Sequence, residues 1–317
     1  VKYIAKKLIT LIITLFIVST LTFTAFQIIP GDSVLASLGT NATPEAIDAM
    51  RDDLGLNDNV IVRYGHWLGG VLHGDFGMST QYDLPVSSLL SERFVVTAWL
   101  AVLAIILIVM ISLPIGILSA RKAGGILDRV LGLVTQTLMA IPPFFLGMIL
   151  TLIFGVILKW FVPGQYVSIS ESRGKFFTYL IYPAIAMAIP KIAMMVKFLR
   201  SSVIRQLRFD YVKTARSKGN TQNAVLLKHV LKNALIPVIT FLGMIIADVL
   251  AGSIIVEQVF NLPGLGRLLV VAISNRDYSV VQAVVLYIAS IVIIINLTVD
   301  VLYRIIDPRI GKDGGKA

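Results

Sequence analysis

Asp210-Tyr211-Val212-Lys213-Thr214-Ala215-Arg216-Ser217-Lys218-Gly219 is a polar, basic stretch set between two segments apolar enough to cross a bilayer. A short helix ended by a glycine at a membrane face is suited to docking against another protein. Asp210 is placed to cap a helix beginning at Tyr211, and Gly219 supplies a left-handed terminator. Thr221 is placed to cap a second helix running through Lys232 toward Pro237. Steps of three and four residues put Tyr211, Thr214, Ala215 and Lys218 on one face, which would offer an aromatic ring, small groups and one cation. From the residues alone two readings stay open. One is a docking surface for a protein. The other is a basic helix resting on anionic lipid, which accounts for Arg216 and Lys218 better than for the tyrosine and the small residues.

Working outward, the 317-residue chain is 56% hydrophobic and only 15% charged, a balance that belongs in a bilayer rather than in a soluble domain. A hydrocarbon core of about 30 Å needs about 20 helical residues. Six stretches qualify, near 8–29, 95–120, 131–160, 176–199, 234–257 and 281–303. The expectation is an all-α polytopic membrane protein of six transmembrane helices, with a small extracytoplasmic insert between the first and second. The third stretch is too long for a perpendicular span and contains Pro142-Pro143, so a kink, a tilt or a break is expected there. The first stretch follows Lys2, Lys6 and Lys7 like a secretory signal, but it is longer than a signal core and lacks a small-x-small cleavage site, so an uncleaved helix is expected.

Lysine and arginine set the orientation. With the N-terminus in the cytoplasm, residues 1–7, 121–129, 200–232 and 304–317 are internal and hold 18 of the 28 basic residues, against 7 in the external segments. Both termini are therefore expected inside. The net charge of +10 then reflects membrane-facing loops drawn to anionic lipid and calls for no nucleic acid. With no cysteine, disulfides and thiolate metal sites are excluded.

Two regions are expected along the chain: 1–94, the first helix and the insert, and 95–317, a five-helix core carrying the cytoplasmic loop 200–232. Nine acidic residues accompany Arg51, Arg63 and Arg93 between Pro30 and Phe94, and this excess either attracts a cationic partner or is a solvated face. Thr43, Pro44 and Glu45 start a helix there that Gly55 ends, and a second helix from Val60 to Leu72 has Gly74 beyond it. His66 and His73, near Asp75, lie seven apart but lack a clear third ligand, so no metal site is assigned.

No G-x-x-x-x-G-K-[ST] phosphate loop and no catalytic constellation is present, so neither ATP hydrolysis nor other enzyme activity is expected of this chain. Lys191, Asp248 and Asp300 carry charge within the spans. Asp248 either lines a hydrated path and prefers amino-bearing cargo or hydrogen-bonds a neighbouring helix, and its depth does not secure a pairing with Lys191. Asp300 suits a structural role near the inner interface. Glu257 ends the fifth span on the outer side, where it would gate a path or meet a partner. The turn Asn261 to Gly266 leads into an amphipathic segment, Arg267 to Ile273, with Asn275, Arg276 and Asp277 beyond it as polar contacts.

Tyr211 to Gly219, followed by His229-Val230-Leu231-Lys232-Asn233-Ala234-Leu235-Ile236-Pro237, resembles the cytoplasmic loop of permeases from binding-protein-dependent ABC importers. The chain looks most like the first permease subunit of the dipeptide, oligopeptide and nickel branch. Pro30-Gly31-Asp32, Leu54-Gly55-Leu56, Gly74-Asp75-Phe76-Gly77, Phe260-Asn261-Leu262-Pro263-Gly264-Leu265-Gly266-Arg267, Asn275-Arg276-Asp277-Tyr278 and Asp307-Pro308-Arg309 match in family order from end to end.

The resemblance implies a type I importer fold in a bacterial or archaeal cytoplasmic membrane. It also implies a heterodimer with a second, related permease, two cytoplasmic ATPases that bind ATP and magnesium, and an extracytoplasmic substrate-binding protein. Coupling to the ATPases falls on Tyr211, Lys213, Thr214, Ala215, Arg216, Lys218 and Gly219, and the outer mouth on Arg267, Asn275, Arg276 and Asp277. Lys213 stands where the broader motif has glutamate, and Ser217, Asn220 and Lys232 replace alanine, leucine and arginine. Short peptides are the expected cargo and nickel or a metal chelate the alternative. An ion-driven transporter is the alternative from another class, although its usual internal repeats are not seen, and a non-transporting membrane scaffold is a third.

Overall fold

The computed structural model describes residues 2–28, 43–53 and 57–306. Its helices are α1 (Lys2–Ile28), α2 (Pro44–Asp53), α3 (Val60–Leu72), α4 (Val86–Arg121), α5 (Ile126–Ala140), α6 (Pro143–Ile157), α7 (Arg173–Leu207), α8 (Asp210–Ser217), α9 (Gln222–Val259), α10 (Leu265–Ser274) and α11 (Tyr278–Ile306). Five of them, α1, α4, α7, α9 and α11, are long and apolar enough to cross a membrane; α5 and α6, apolar enough together and bent by 94° at the break between them, form either a sixth, broken span or a re-entrant loop. The bend falls at the expected prolines. Pro142 is extended, with ψ of 142°, and Pro143 opens α6, so neither residue continues the hydrogen-bond ladder of α5.

The helices overrun the expected spans. α9 is one continuous helix from Gln222 to Val259, wound as a π-helix over Val225–Val230. The separate second helix expected from Thr221 toward Pro237 is therefore corrected: Pro237 lies inside the helix. Thr221 does cap it, its hydroxyl accepting from Ala224 N at 3.3 Å. Asp210 is not the cap of α8. Phe209 holds that position with extended backbone, and Asp210 is already in the first turn. Farther upstream, Thr43 accepts from Ala46 N at 3.3 Å at the start of α2, and Gly74 follows α3 at φ +83°. Gly55, Pro30-Gly31-Asp32 and Asp307-Pro308-Arg309 lie outside the described residues.

The chain forms two compact units. One comprises Val1–Ala98 with Leu262–Ile294. In it, α3 lies along α1: the Tyr64 hydroxyl is 2.8 Å from Ser19 Oγ and 2.9 Å from Thr20 Oγ1, and Phe23 meets the Tyr64 and Trp67 rings. Leu265, Leu268 and Ala272 of α10 share a buried core with Val86, Leu89 and Leu90 of α4 and with Val280, Val281, Ala283 and Val284 of α11. The other unit comprises Trp99–Asn261 with Ile295–Ala317 and is built around α7. Of the apolar window of α7, 61% is buried, against 28% for α9. Ala184, Ala186, Ala188 and Ala193 of α7 are all buried, and side chains this small let neighbouring backbones come close.

Candidate functional site

α8 is eight residues long and carries its own stops. At its end Gly219 takes φ +82° and donates to Arg216 O at 2.9 Å, while Asn220 Nδ2 donates to Ala215 O at 2.9 Å. The left-handed conformation favours glycine, and the asparagine satisfies a carbonyl the helix leaves open. Asn220, a departure from the family pattern, thus has a local task. Val212 and Ala215, three residues apart, are buried and rest α8 on the Val225–Val230 segment of α9. The expected outward face is revised accordingly. Ala215 faces into the protein, and Lys213, Thr214, Arg216, Ser217 and Lys218 are exposed.

Tyr211 is half-buried and its hydroxyl donates to Gln206 Oε1 at 2.9 Å, which fixes the ring instead of leaving it free to enter a partner's pocket. The exposed aromatic at this end is Phe209, stacked on Tyr211 at 6.3 Å; the sequence reading did not single it out, although it directly precedes the helix. Lys213 reaches Asp210 at 2.8 Å, but both groups are largely in water and the pair adds little stability. What α8 and its C-cap offer is an exposed surface with three cations, Lys213, Arg216 and Lys218, one carboxylate and a neighbouring aromatic ring, between two spans.

Asp128 is the only acid in the basic segment Arg121 to Arg129. It is buried and accepts from Arg200 Nε at 2.6 Å and Arg200 Nη2 at 2.7 Å, from Ser119 Oγ at 2.8 Å and from Gly124 N at 2.9 Å. A bidentate pair of this kind fixes orientation as well as charge, so the C-terminal ends of α4 and α7 and the start of α5 are held together. A cavity of about 290 Å³ beside it is lined by Arg129, Thr135 and Lys197. The sequence signal that would have found Asp128 is its isolation among cations.

α7 and α9 run antiparallel in a register that four contacts define. Ser202 Oγ donates to Ala234 O at 2.8 Å, and the Phe198 and Phe241 rings stack at 4.2 Å. Lys191 forms an ion pair with Asp248, and Tyr179 Oη donates to Phe260 O at 2.7 Å. Lys191 and Asp248 each lie seven residues, two helical turns, from the aromatic pair, so the heptad spacing brings them level. Depths counted from uncertain helix ends had not secured this pairing. The Lys191 side chain is 16% exposed, that of Asp248 56%.

At the other end of the spans the expected outer residues separate. Glu257 is fully buried, so it presents no carboxylate for a partner to meet. Asp277 is also fully buried, and its expected role as a surface contact is corrected. It caps α11, accepts from Ser79 Oγ at 2.5 Å and Gln81 N at 3.3 Å, and so ties the turn 79–82 to the start of that helix. Asn275 and Arg276 are exposed, Arg276 at φ +58°, and Arg267 is half-buried. The side chain of Asp300 lies outside the described residues. His73 Nδ1 is 2.8 Å from Gly69 O, and among the described residues no three His, Cys, Asp or Glu side chains converge on a metal position.

The family model described as "binding-protein-dependent transport system inner membrane component" matches residues 112–312, which include α8 and the α7–α9 register; that of its N-terminal membrane component matches residues 1–101. The chain belongs to this permease family. Similar family members include y4tP of Sinorhizobium fredii, described as a probable peptide ABC transporter permease, 37% identical over 97% of this chain and 98% of its own. The glutathione transport system permease protein GsiC of Salmonella typhimurium is 40% identical over 97% of this permease and 98% of its own length. A crystal structure of an amino acid ABC transporter with histidines covers 70% of this permease and 94% of its own chain, at a TM-score of 0.49 and 20% identity.

Proposed function

We propose that this permease subunit carries short peptides into the cytoplasm, with ATP hydrolysed by two partner ATPases that themselves bind ATP and magnesium. It works beside a second, homologous permease and receives cargo from an extracytoplasmic binding protein. α8 carries this reading. A short helix with a cationic, solvent-facing surface, stopped by Gly219 and seated on α9, is built to pass a push from a soluble partner to the spans. Alternating access needs two conformations that the partner favours unequally, and closure of an ATPase pair against α8 supplies that bias. The basic residues of loops 121–129 and 200–232 favour placing α8 and both termini in the cytoplasm. Peptide cargo is supported by relatives described as peptide and glutathione permeases.

The experiment is uptake of labelled di- and tripeptides into vesicles holding the full set of subunits, with and without the ATPases. Uptake that needs ATP and the ATPases is the expected result. Uptake without them assigns the chain to ion-driven transport, and none from the full set overturns the transport reading.

A further inference from the structure

We infer that Lys191 and Asp248 read the two charged ends of a passing peptide, the Asp248 carboxylate taking its ammonium group and the Lys191 ammonium taking its carboxylate. This inference rests on the peptide reading above. Between passages the two side chains neutralise each other.

Position comes first. Lys191 lies about 24 Å from one end of α7 and about 27 Å from the other, deep within the span. Charge at that depth is expensive in hydrocarbon and faces protein or water. A brace between helices would bury both partners, yet here only the lysine is packed and more than half of the carboxylate's side-chain surface stays open.

The surface around the carboxylate is the second observation. Met244, Asp248, Ala251 and Ile255 are exposed in steps of four, three and four residues, one stripe along α9. Beside them Gly252 has open space where a side chain would stand. The stripe therefore combines one charge with small or pliable groups and room for an occupant of varied shape. Directly before Lys191 stands Pro190, whose missing N–H leaves the Ala186 carbonyl without its helical partner and loosens α7 at the point where the lysine must turn.

Short peptides of different sequence share their backbone and their two terminal charges. A site that reads those charges tolerates any side chains between them. Taking up a zwitterionic peptide leaves the site's net charge at zero, and breaking the internal ion pair offsets part of what the two new pairs contribute. Such a site holds cargo weakly enough to let it go, as conduction through a membrane requires.

The test uses the assembled transporter in nanodiscs without the binding protein, so that the binding protein's own preferences do not enter. Saturation-transfer NMR measures the binding of dialanine, N-acetyl-dialanine and dialanine amide. Asp248→Asn should weaken dialanine about tenfold without weakening N-acetyl-dialanine; Lys191→Gln should weaken dialanine without weakening the amide. The double variant Lys191→Gln/Asp248→Asn leaves no lone charge to unfold the spans and should bind all three peptides alike, while Asp248→Glu should restore the preference for dialanine. A double variant that keeps the wild-type preference overturns the inference, as does wild-type protein that takes up dialanine in vesicles yet gives no saturable signal. Wild-type vesicles that take up no peptide refute the cargo reading itself, and this inference with it.

Discussion

At position 219 the backbone requires φ of +82°, and the space where a Cβ would stand is empty. The strain of a substitution there is therefore conformational and not steric, about 1–2 kcal/mol for an ordinary L residue and more for a β-branched one. Gly219→Val should lower peptide uptake per ATP hydrolysed severalfold, whereas Gly219→Asn, which tolerates this conformation, should keep the ratio near that of the parent. Parallel assays of uptake and phosphate release distinguish the two. Asp277 makes a different prediction. Asp277→Ala removes the cap of α11 and leaves the Ser79 hydroxyl without its acceptor, a loss of about 1–2 kcal/mol. Limited proteolysis should then cut the turn 79–82 faster than in Asp277→Asn, which keeps a capping oxygen. The charged residues were visible in the sequence, but their partners were not, because pairing depends on a register between helices that no single helix reveals.

At the scale of helices, hydropathy located the five long membrane helices and the bent pair α5–α6, since a bilayer enforces length and apolarity together. Where the elements begin and end was harder to read. Pro237 looked like a boundary, yet π-winding over Val225–Val230 and packing on α7 carry α9 through it. Ala215 looked like a small outward group, but eight residues make little more than two turns, and the Val212–Ala215 side is the one that rests on α9. Close approach between helices gives a further test. A Cβ at Gly116 of α4 would stand 2.8 Å from Leu199 Cδ2 and 3.1 Å from Leu199 Cβ of α7. Gly116→Val should destabilise the assembled transporter by about 1–3 kcal/mol, measured as a lower melting temperature in detergent. Asp128→Ala should act near the C-terminal ends of the same helices. Loss of its charge-assisted bonds to Arg200 should remove about 1.5–3 kcal/mol, less the share that water restores to an arginine one-third exposed.

For the whole molecule, the 94° corner between α5 and α6 has a consequence for its life in the cell. Each limb is about 22 Å long, short of the roughly 30 Å a lone span must cover, and the corner interrupts the backbone ladder where lipid supplies no substitute partner. Phe144 and Phe145 at this corner are exposed in the isolated chain. Within a bilayer such a corner is tolerated where protein covers it or water reaches it; with the companion permease of the proposed assembly as that cover, a copy made in excess of its companions should be a substrate for quality-control proteolysis. Pulse-chase labelling should show a severalfold shorter half-life for the chain expressed alone than for the chain coexpressed with its partners. On that outcome, supply of the companions, through degradation of orphans, would set how many copies persist.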